Sequence, residues 1–196
     1  MVNNAKNGFT LAEVLITLVI IGIVAALTIP TAIAKYREQE IRSKLNKAYS
    51  TLTNGIRLSE VVNGPFGTWP TPAELGNMET YWNRYFAPFF NGARLCSNSL
   101  NCGYKSDISY TKWQDAGWNV FTDYGGKSRM LFQLGDGTVV FYPFSTGGSS
   151  TTVLFVDANG TKEPNTMNKD VFLFVRSNTQ NTIIPSYNTT QYLIKK

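Results

Sequence analysis

FTLAEVLITLVIIGIVAALTIPTAIA, residues 9–34, holds a single ionisable side chain, Glu13. As an α-helix rising ~1.5 Å per residue it reaches about 39 Å, enough to cross a ~30 Å hydrocarbon core. Between Val14 and Ile29 there is no charge, and Thr17 and Thr28 are the only polar side chains. A helix that is apolar on every side fits lipid better than one face of a soluble core. Glu13 stands out against this background. A carboxylate in the bilayer costs roughly 2.5–3.5 kcal/mol on the insertion scale, which implies a partner for it.

A cleaved secretory signal is the rival reading. Residues 1–8 carry Lys6, and Ala32-Ile33-Ala34 has the small-x-small form of a cleavage site that would start the mature chain at Lys35. Against it, the apolar run is longer than a usual signal core, and a signal has no use for Glu13.

The block Gly8-Phe9-Thr10-Leu11-Ala12-Glu13, followed by an apolar helix interrupted at Pro30, resembles the start of type IV prepilins and type II secretion pseudopilins. The resemblance implies cleavage by prepilin peptidase between Gly8 and Phe9 and N-methylation of the new terminus, Phe9. It makes Met1–Gly8 a short, polar, basic leader and Glu13 the fifth residue of the mature chain, the family's acidic position. It further implies a single-pass protein of the cytoplasmic membrane, with its head in the periplasm or outside the cell. The implied partners are prepilin peptidase, copies of itself and other pilin-like subunits, an inner-membrane assembly platform and membrane lipid.

Physical chemistry gives the pattern a rationale of its own. Glycine leaves room at the scissile bond, and cleavage gives Phe9 a cationic amine. In a bundle of anchors the Glu13 carboxylate of one subunit can meet that amine on its neighbour, which offsets desolvation and sets register. A Glu13 that only snorkels to the interface is the plainer alternative. Pro30 lacks an N–H and crowds the Ala26 carbonyl, so it is expected to kink or loosen the helix. Gly22 and Ala25-Ala26 allow close helix approach.

Beyond Ala34, the residues Ile41, Leu45, Ala48, Tyr49, Leu52 and Ile56 recur in steps of three and four, which predicts an amphipathic stem helix over 35–63. Asn63-Gly64-Pro65 is its stop signal. The head, 64–196, opens with a Gly/Pro-rich loop. Thr71-Pro72-Ala73-Glu74 has the form of a capping box before a short helix bearing Tyr81, Trp82, Tyr85, Phe86, Phe89 and Phe90. Four strand-like runs follow, at 129–134, 138–144, 151–156 and 171–176, the first two flanking Gly135-Asp136-Gly137. The fold class is therefore α+β and pilin-like: a long amino-terminal helix, anchor and stem, packed on an antiparallel sheet of about four strands.

Composition narrows the functions. The chain has no histidine, which removes Ser–His and Cys–His chemistry and the commonest metal ligand. Cys96 and Cys102 are too few for a structural zinc site; in an oxidising compartment they would close a short disulfide loop, and otherwise they are two free thiols. Of the net charge of +5, the segment 35–63 carries most, and the head is nearly balanced, so no nucleic-acid partner is expected. No cofactor is expected either. Calcium in the head is the exception considered, because oxygen-rich loops in several pseudopilin heads bind it. Asp157, Asn159 and Asp170 could supply oxygens, although the acidic spacing of an EF-hand is missing and an Asn-Gly turn is the simpler account.

Three functions follow. The first is a non-enzymatic filament subunit, either a type II secretion pseudopilin or a type IV pilin for adhesion, motility or DNA uptake. Threonine after Phe9 and the modest head favour the pseudopilin. The second is a secreted enzyme or binding module with a cleaved signal. The third is a minor tip subunit with a ligand-binding aromatic patch built from Trp69, Trp82, Trp113 or Trp118.

Overall fold

The computed structural model of the chain describes residues 8–70, 74–75, 77–97, 100–104, 130–142, 153–163 and 165–194. The chain divides into two compact units, Met1–Glu40 and Ile41–Lys196. Helix α1, Leu11–Asn63, contributes to both.

In the first unit the apolar side chains of α1, from Leu11 to Ile33, are exposed, and the helix is long and apolar enough to cross a membrane. The threonines within it need no outside partner. The Thr17 hydroxyl donates to the Val14 carbonyl at 2.9 Å, Thr28 to Val24 at 2.9 Å and Thr31 to Thr28 at 2.8 Å. Such back-bonding lets a hydroxyl sit in an apolar medium. The helix continues through Pro30.

In the second unit the stem's apolar stripe is buried. Leu45, Ala48 and Leu52 are fully covered and Ile56 nearly so, together with Gly55 and Ser59 on the same face. Each large aliphatic side chain so buried contributes about 1.5–3 kcal/mol. Gly64 ends α1 as expected: its φ of 78° is left-handed, and its N–H bonds the Glu60 carbonyl at 2.9 Å.

The stripe packs on a six-stranded antiparallel sheet in simple meander order: β1 (Arg94–Cys96), β2 (Met130–Gln133), β3 (Val139–Tyr142), β4 (Val153–Asp157), β5 (Val171–Ser177) and β6 (Thr182–Pro185). Alternate residues divide between two cores. Phe132, Val140, Tyr142, Leu154, Val156, Phe172 and Phe174 join the stem. Leu131, Val139, Phe141, Val153, Phe155 and Val171 face the other way, with Cys96, Cys102 and Tyr104. The four sequence-read strands are the central ones, β4 and β5 each running one residue further than read, while residues 129, 143–144 and 151–152 lie outside the described residues. The two additions are both edge strands. At three residues β1 is too short to show a period, and β6 ends in a proline, which an edge tolerates.

Helix α2, Met78–Tyr85, starts later than the Thr71 capping box suggests. Its cap is Asn77, whose side chain accepts the Glu79 N–H at 2.7 Å; Thr71–Ala73 lie outside the described residues. Tyr81, Trp82, Tyr85, Phe86 and Phe90 form an aromatic cluster between the sheet and the stem. The last helix, α3 (Tyr187–Ile194), closes the chain against β5, with Tyr192 tilted on Phe172 at 4.6 Å between ring centres.

Candidate functional site

At the start of α1, Phe9 is 90% exposed, and nothing lies within 4 Å of where a side chain on Gly8 would begin. The backbone at the Gly8–Phe9 bond is therefore open. Thr10 and Glu13 make a reciprocal capping box. The Thr10 N–H and hydroxyl donate to Glu13 Oε2 at 2.8 and 2.7 Å, and the Glu13 N–H donates to Thr10 Oγ1 at 3.3 Å. These bonds satisfy backbone donors that an α-helix leaves free at its first turn. From sequence, Glu13 points to a partner in another subunit or to the membrane interface, not to Thr10. The Thr-x-x-Glu spacing was the signal for this local one.

Further along, no atom lies within 4 Å of where a Gly22 side chain would begin, so the helix surface there is open to close approach. The Pro30 nitrogen carries no hydrogen, which leaves the Ala26 carbonyl without its usual helical donor.

In the head, Cys96 and Cys102 are joined in a disulfide with Cα atoms 5.4 Å apart, and both are buried beneath the second core. The fold also brings together the three oxygen-bearing residues singled out in sequence. Asp157 ends β4 and Asp170 precedes β5; both are fully buried. Tyr104 donates its hydroxyl to Asp157 Oδ2 at 2.6 Å, and Asn159 Nδ2 donates to Asp170 Oδ2 at 3.1 Å. Asp170 also accepts the N–H groups of Asn165 (2.8 Å) and Thr166 (2.5 Å). Burial pushes the Asp157 carboxyl well above the usual carboxylate range against the pull of the Tyr104 bond, and burial likewise raises Asp170. Sequence reasoning missed Tyr104, which reaches the cluster only through tertiary structure, and Asn165, which bonds Asp170 from five residues away in the same connection.

The aromatic-patch reading is corrected in part. Trp69 and Trp82 are core residues, 4% and 6% exposed. The Trp69 indole also donates to the Gly64 carbonyl at 2.7 Å. Trp113 and Trp118 lie outside the described residues.

Comparison with known proteins gives two matches. The model of the prokaryotic N-terminal methylation motif matches residues 3–29. The model of a family of unknown function (DUF6613) matches residues 31–191. No curated protein and no solved structure matches the chain. The first match is the prepilin-type signal, and with the apolar helix it marks a membrane-anchored, single-pass, pilin-like protein that prepilin peptidase processes. The second spans most of the chain, stem and head together, and so the protein belongs to that family of unknown function, DUF6613.

Proposed function

We propose that the chain is a structural subunit of a pilin-like filament, serving protein secretion as a type II secretion pseudopilin or a related subunit. The observation that carries this reading is the methylation motif at the head of an exposed apolar helix, with Glu13 at its first turn. Cleavage after Gly8 frees the Phe9 amine, and the Glu13 carboxylate of one subunit pairs with that amine on the next. The hydrogen bonds from Thr10 are neutral and leave the charge uncompensated, whereas an amine cancels it.

The disulfide supports a head on the oxidising side of the membrane. The basic residues just after the anchor, Lys35, Arg37 and Arg42 among them, would favour the opposite orientation by charge bias alone. The orientation therefore rests on the disulfide and the processing signal. The nearly balanced head charge and the threonine after Phe9 favour a secretion subunit over one that captures DNA.

The test is the full chain expressed with a prepilin peptidase and an assembly platform, read by intact mass and filament yield. The expected product begins at N-methylated Phe9. A product beginning at Lys35 sinks the reading. Glu13→Gln is expected to be cut normally and to lose filaments, because glutamine can still cap the helix but carries no charge. Normal filament yield from that variant would leave Glu13 with capping alone.

A further inference from the structure

Asp157 and Asp170 place two carboxyl groups in the interior, and among the described residues neither forms an ion pair with a lysine or arginine. Their hydrogen bonds divide unequally. Asp170 accepts three donors on its two oxygens: Asn159 Nδ2 and the Asn165 N–H on Oδ2, and the Thr166 N–H on Oδ1. Asp157 takes both of its donors on one oxygen. The Tyr104 hydroxyl reaches Oδ2 at 2.6 Å and the Asn165 carboxamide NH2 reaches it at 3.1 Å, the carboxamide donating to the Lys162 carbonyl as well. Asp157 Oδ1 is buried with no hydrogen-bond partner. Asn159 Oδ1 is a second buried acceptor without a donor, so a donor is what this turn lacks.

The surroundings offer no charge that offsets an anion on Asp157. The neighbouring strands place Val139 and Val171 opposite it, and Thr138 gives its hydroxyl to the Ala158 carbonyl. In the connection that follows, Lys162, Glu163 and Lys169 are exposed, and Asp136 on the β2–β3 hairpin is taken by Lys47. Among the described residues, the ionisable groups that face Asp157 are therefore Tyr104, which is neutral, and Asp170, which is of like charge. Two carboxyl groups in one dry site do not both ionise, and a bare carboxylate oxygen costs far more to bury than one that carries hydrogen.

We propose that the pair holds one proton at neutral pH, seated on Asp157 Oδ1, and that this proton is a latch keeping residues 158–170 folded onto the end of β4. Asp170 keeps its charge, since three donors satisfy its oxygens, and Asp157 is the acid of the pair. Burial pushes the Asp157 carboxyl up and the Asp170 charge adds to it, against the pull of the Tyr104 hydroxyl and the Asn159 and Gly160 N–H groups. The Ala158 N–H bonds the Asp170 carbonyl at 2.8 Å and closes the connection at its base, while Asn165 ties its middle to Asp157. Loss of the proton leaves an anion that only water can satisfy, and water reaches it when the connection lifts. The latch does not depend on the filament reading.

The test uses the full chain in detergent, its aspartates labelled with carbon-13 at the side-chain carboxyl so that Glu13 does not contribute. Infrared spectroscopy at neutral pH is expected to show the carbonyl stretch of a protonated aspartic acid, which Asp157→Asn removes and Asp136→Asn keeps. Urea midpoints are then followed from about pH 6 to about pH 10. The unfolded chain gives up this proton at about pH 4 and the native pair keeps it, so the stabilisation is complete below that pH and is lost as pH rises through the native value. Over that window the folding equilibrium falls by up to about tenfold per pH unit. Asp157→Asn carries no such proton and is expected to lose the decline, ending more stable than wild type on the alkaline side. Trypsin reads the connection itself at the exposed Lys162 and Lys169. Wild type is expected to be cut there faster as pH rises, relative to Asp157→Asn at the same pH. Should that variant fail to fold, the wild-type infrared band decides alone. A wild type without an acid band at neutral pH, or an alkaline decline that survives in Asp157→Asn, overturns the proposal.

Discussion

Gly55 faces the core from the middle of the stem, and Phe90 fills the space that its missing side chain leaves. A Cβ built on Gly55 falls 2.3 Å from Phe90 Cζ and 2.6 Å from both Cε atoms. Carbon atoms in contact sit about 3.5–4.0 Å apart, so Gly55→Ala requires the ring or the helix to withdraw by roughly 1.2 Å or more. The ring has little room to do so. Phe90 is 3% exposed and stacks on Phe86 at 5.2 Å, with Phe132 at 6.1 Å on another side.

Overpacking of this kind costs about 1–3 kcal/mol. Glycine to alanine inside a helix returns about 0.8–1 kcal/mol of propensity. With a contact this short the steric cost lies toward the upper end, and the net effect is a loss of about 1–2 kcal/mol. For a chain of this size that lowers the melting midpoint by roughly 2–8 °C. The assay is thermal and urea denaturation of the detergent-solubilised protein, followed by near- and far-ultraviolet circular dichroism. Asn54→Ala, one residue away on the exposed face, is the control and is expected to stabilise slightly. Gly55→Ala combined with Phe90→Leu should recover part of the loss, giving a coupling energy between the two sites. If Gly55→Ala alone is as stable as wild type, Phe90 is not wedged against the stem and the packing argument fails.

Other perturbations test separate parts of the head. Cys96→Ser opens a ring with a sequence separation of six residues, and the chain-entropy model sets the loss at about 2 kcal/mol, measured as a urea midpoint that no longer responds to reductant. Arg176 is buried and donates to the Phe66 and Trp69 carbonyls, the second at 2.8 Å. Arg176→Met should cost about 2–5 kcal/mol as those carbonyls lose their donors, and a change below ~0.5 kcal/mol would mean water replaces them. Burial raises the Asp136 carboxyl, but hydrogen bonds from Thr138 and the Lys47 ion pair at 3.3 Å outweigh it and hold the group below its usual range. Its stabilisation is present above the unfolded-state value near pH ~4 and is lost as pH falls through the lower folded value. Asp136→Asn should therefore flatten the acid limb of the stability curve without altering the alkaline limb.

The large apolar residues were legible and the small ones were not. Leu45, Ala48, Leu52 and Ile56 announce the buried face of the stem by their spacing. Gly55 and Ser59 lie on that same face and are covered as fully, but a glycine and a serine carry no hydropathy signal. Their burial follows from what packs against them, which for Gly55 is a ring thirty-five residues away in sequence. The central strands were readable as short apolar runs bounded by turn residues, Val139–Tyr142 and Val153–Val156 among them. The edges were not, because Arg94–Cys96 and Thr182–Pro185 hold too few apolar residues to stand out. The Asp157 cluster was partly visible, since Asp157 and Asn159 sit in one turn. Tyr104 has no local reason to be there and reaches Asp157 from far along the chain, whereas Asn165 lies in the same connection as Asp170, five residues before it, and bonds it locally.

Glu13 shows how one pattern can hide another. Thr10-Leu11-Ala12-Glu13 has the spacing of a capping box, yet the same four residues belong to the prepilin motif, and the stronger pattern absorbs the weaker. The box also sharpens the case for a second partner. Capping needs an acceptor at this position, which glutamine supplies as well as glutamate. It therefore accounts for the hydrogen bonds to Oε2, but not for a full negative charge at the start of an apolar helix. A charge there is costly in lipid unless something cationic meets it. Under the proposed cleavage after Gly8, the new amine lies four residues upstream, at Phe9. In the proposed filament, the neighbour's amine is the partner that adds neutralisation without breaking the cap.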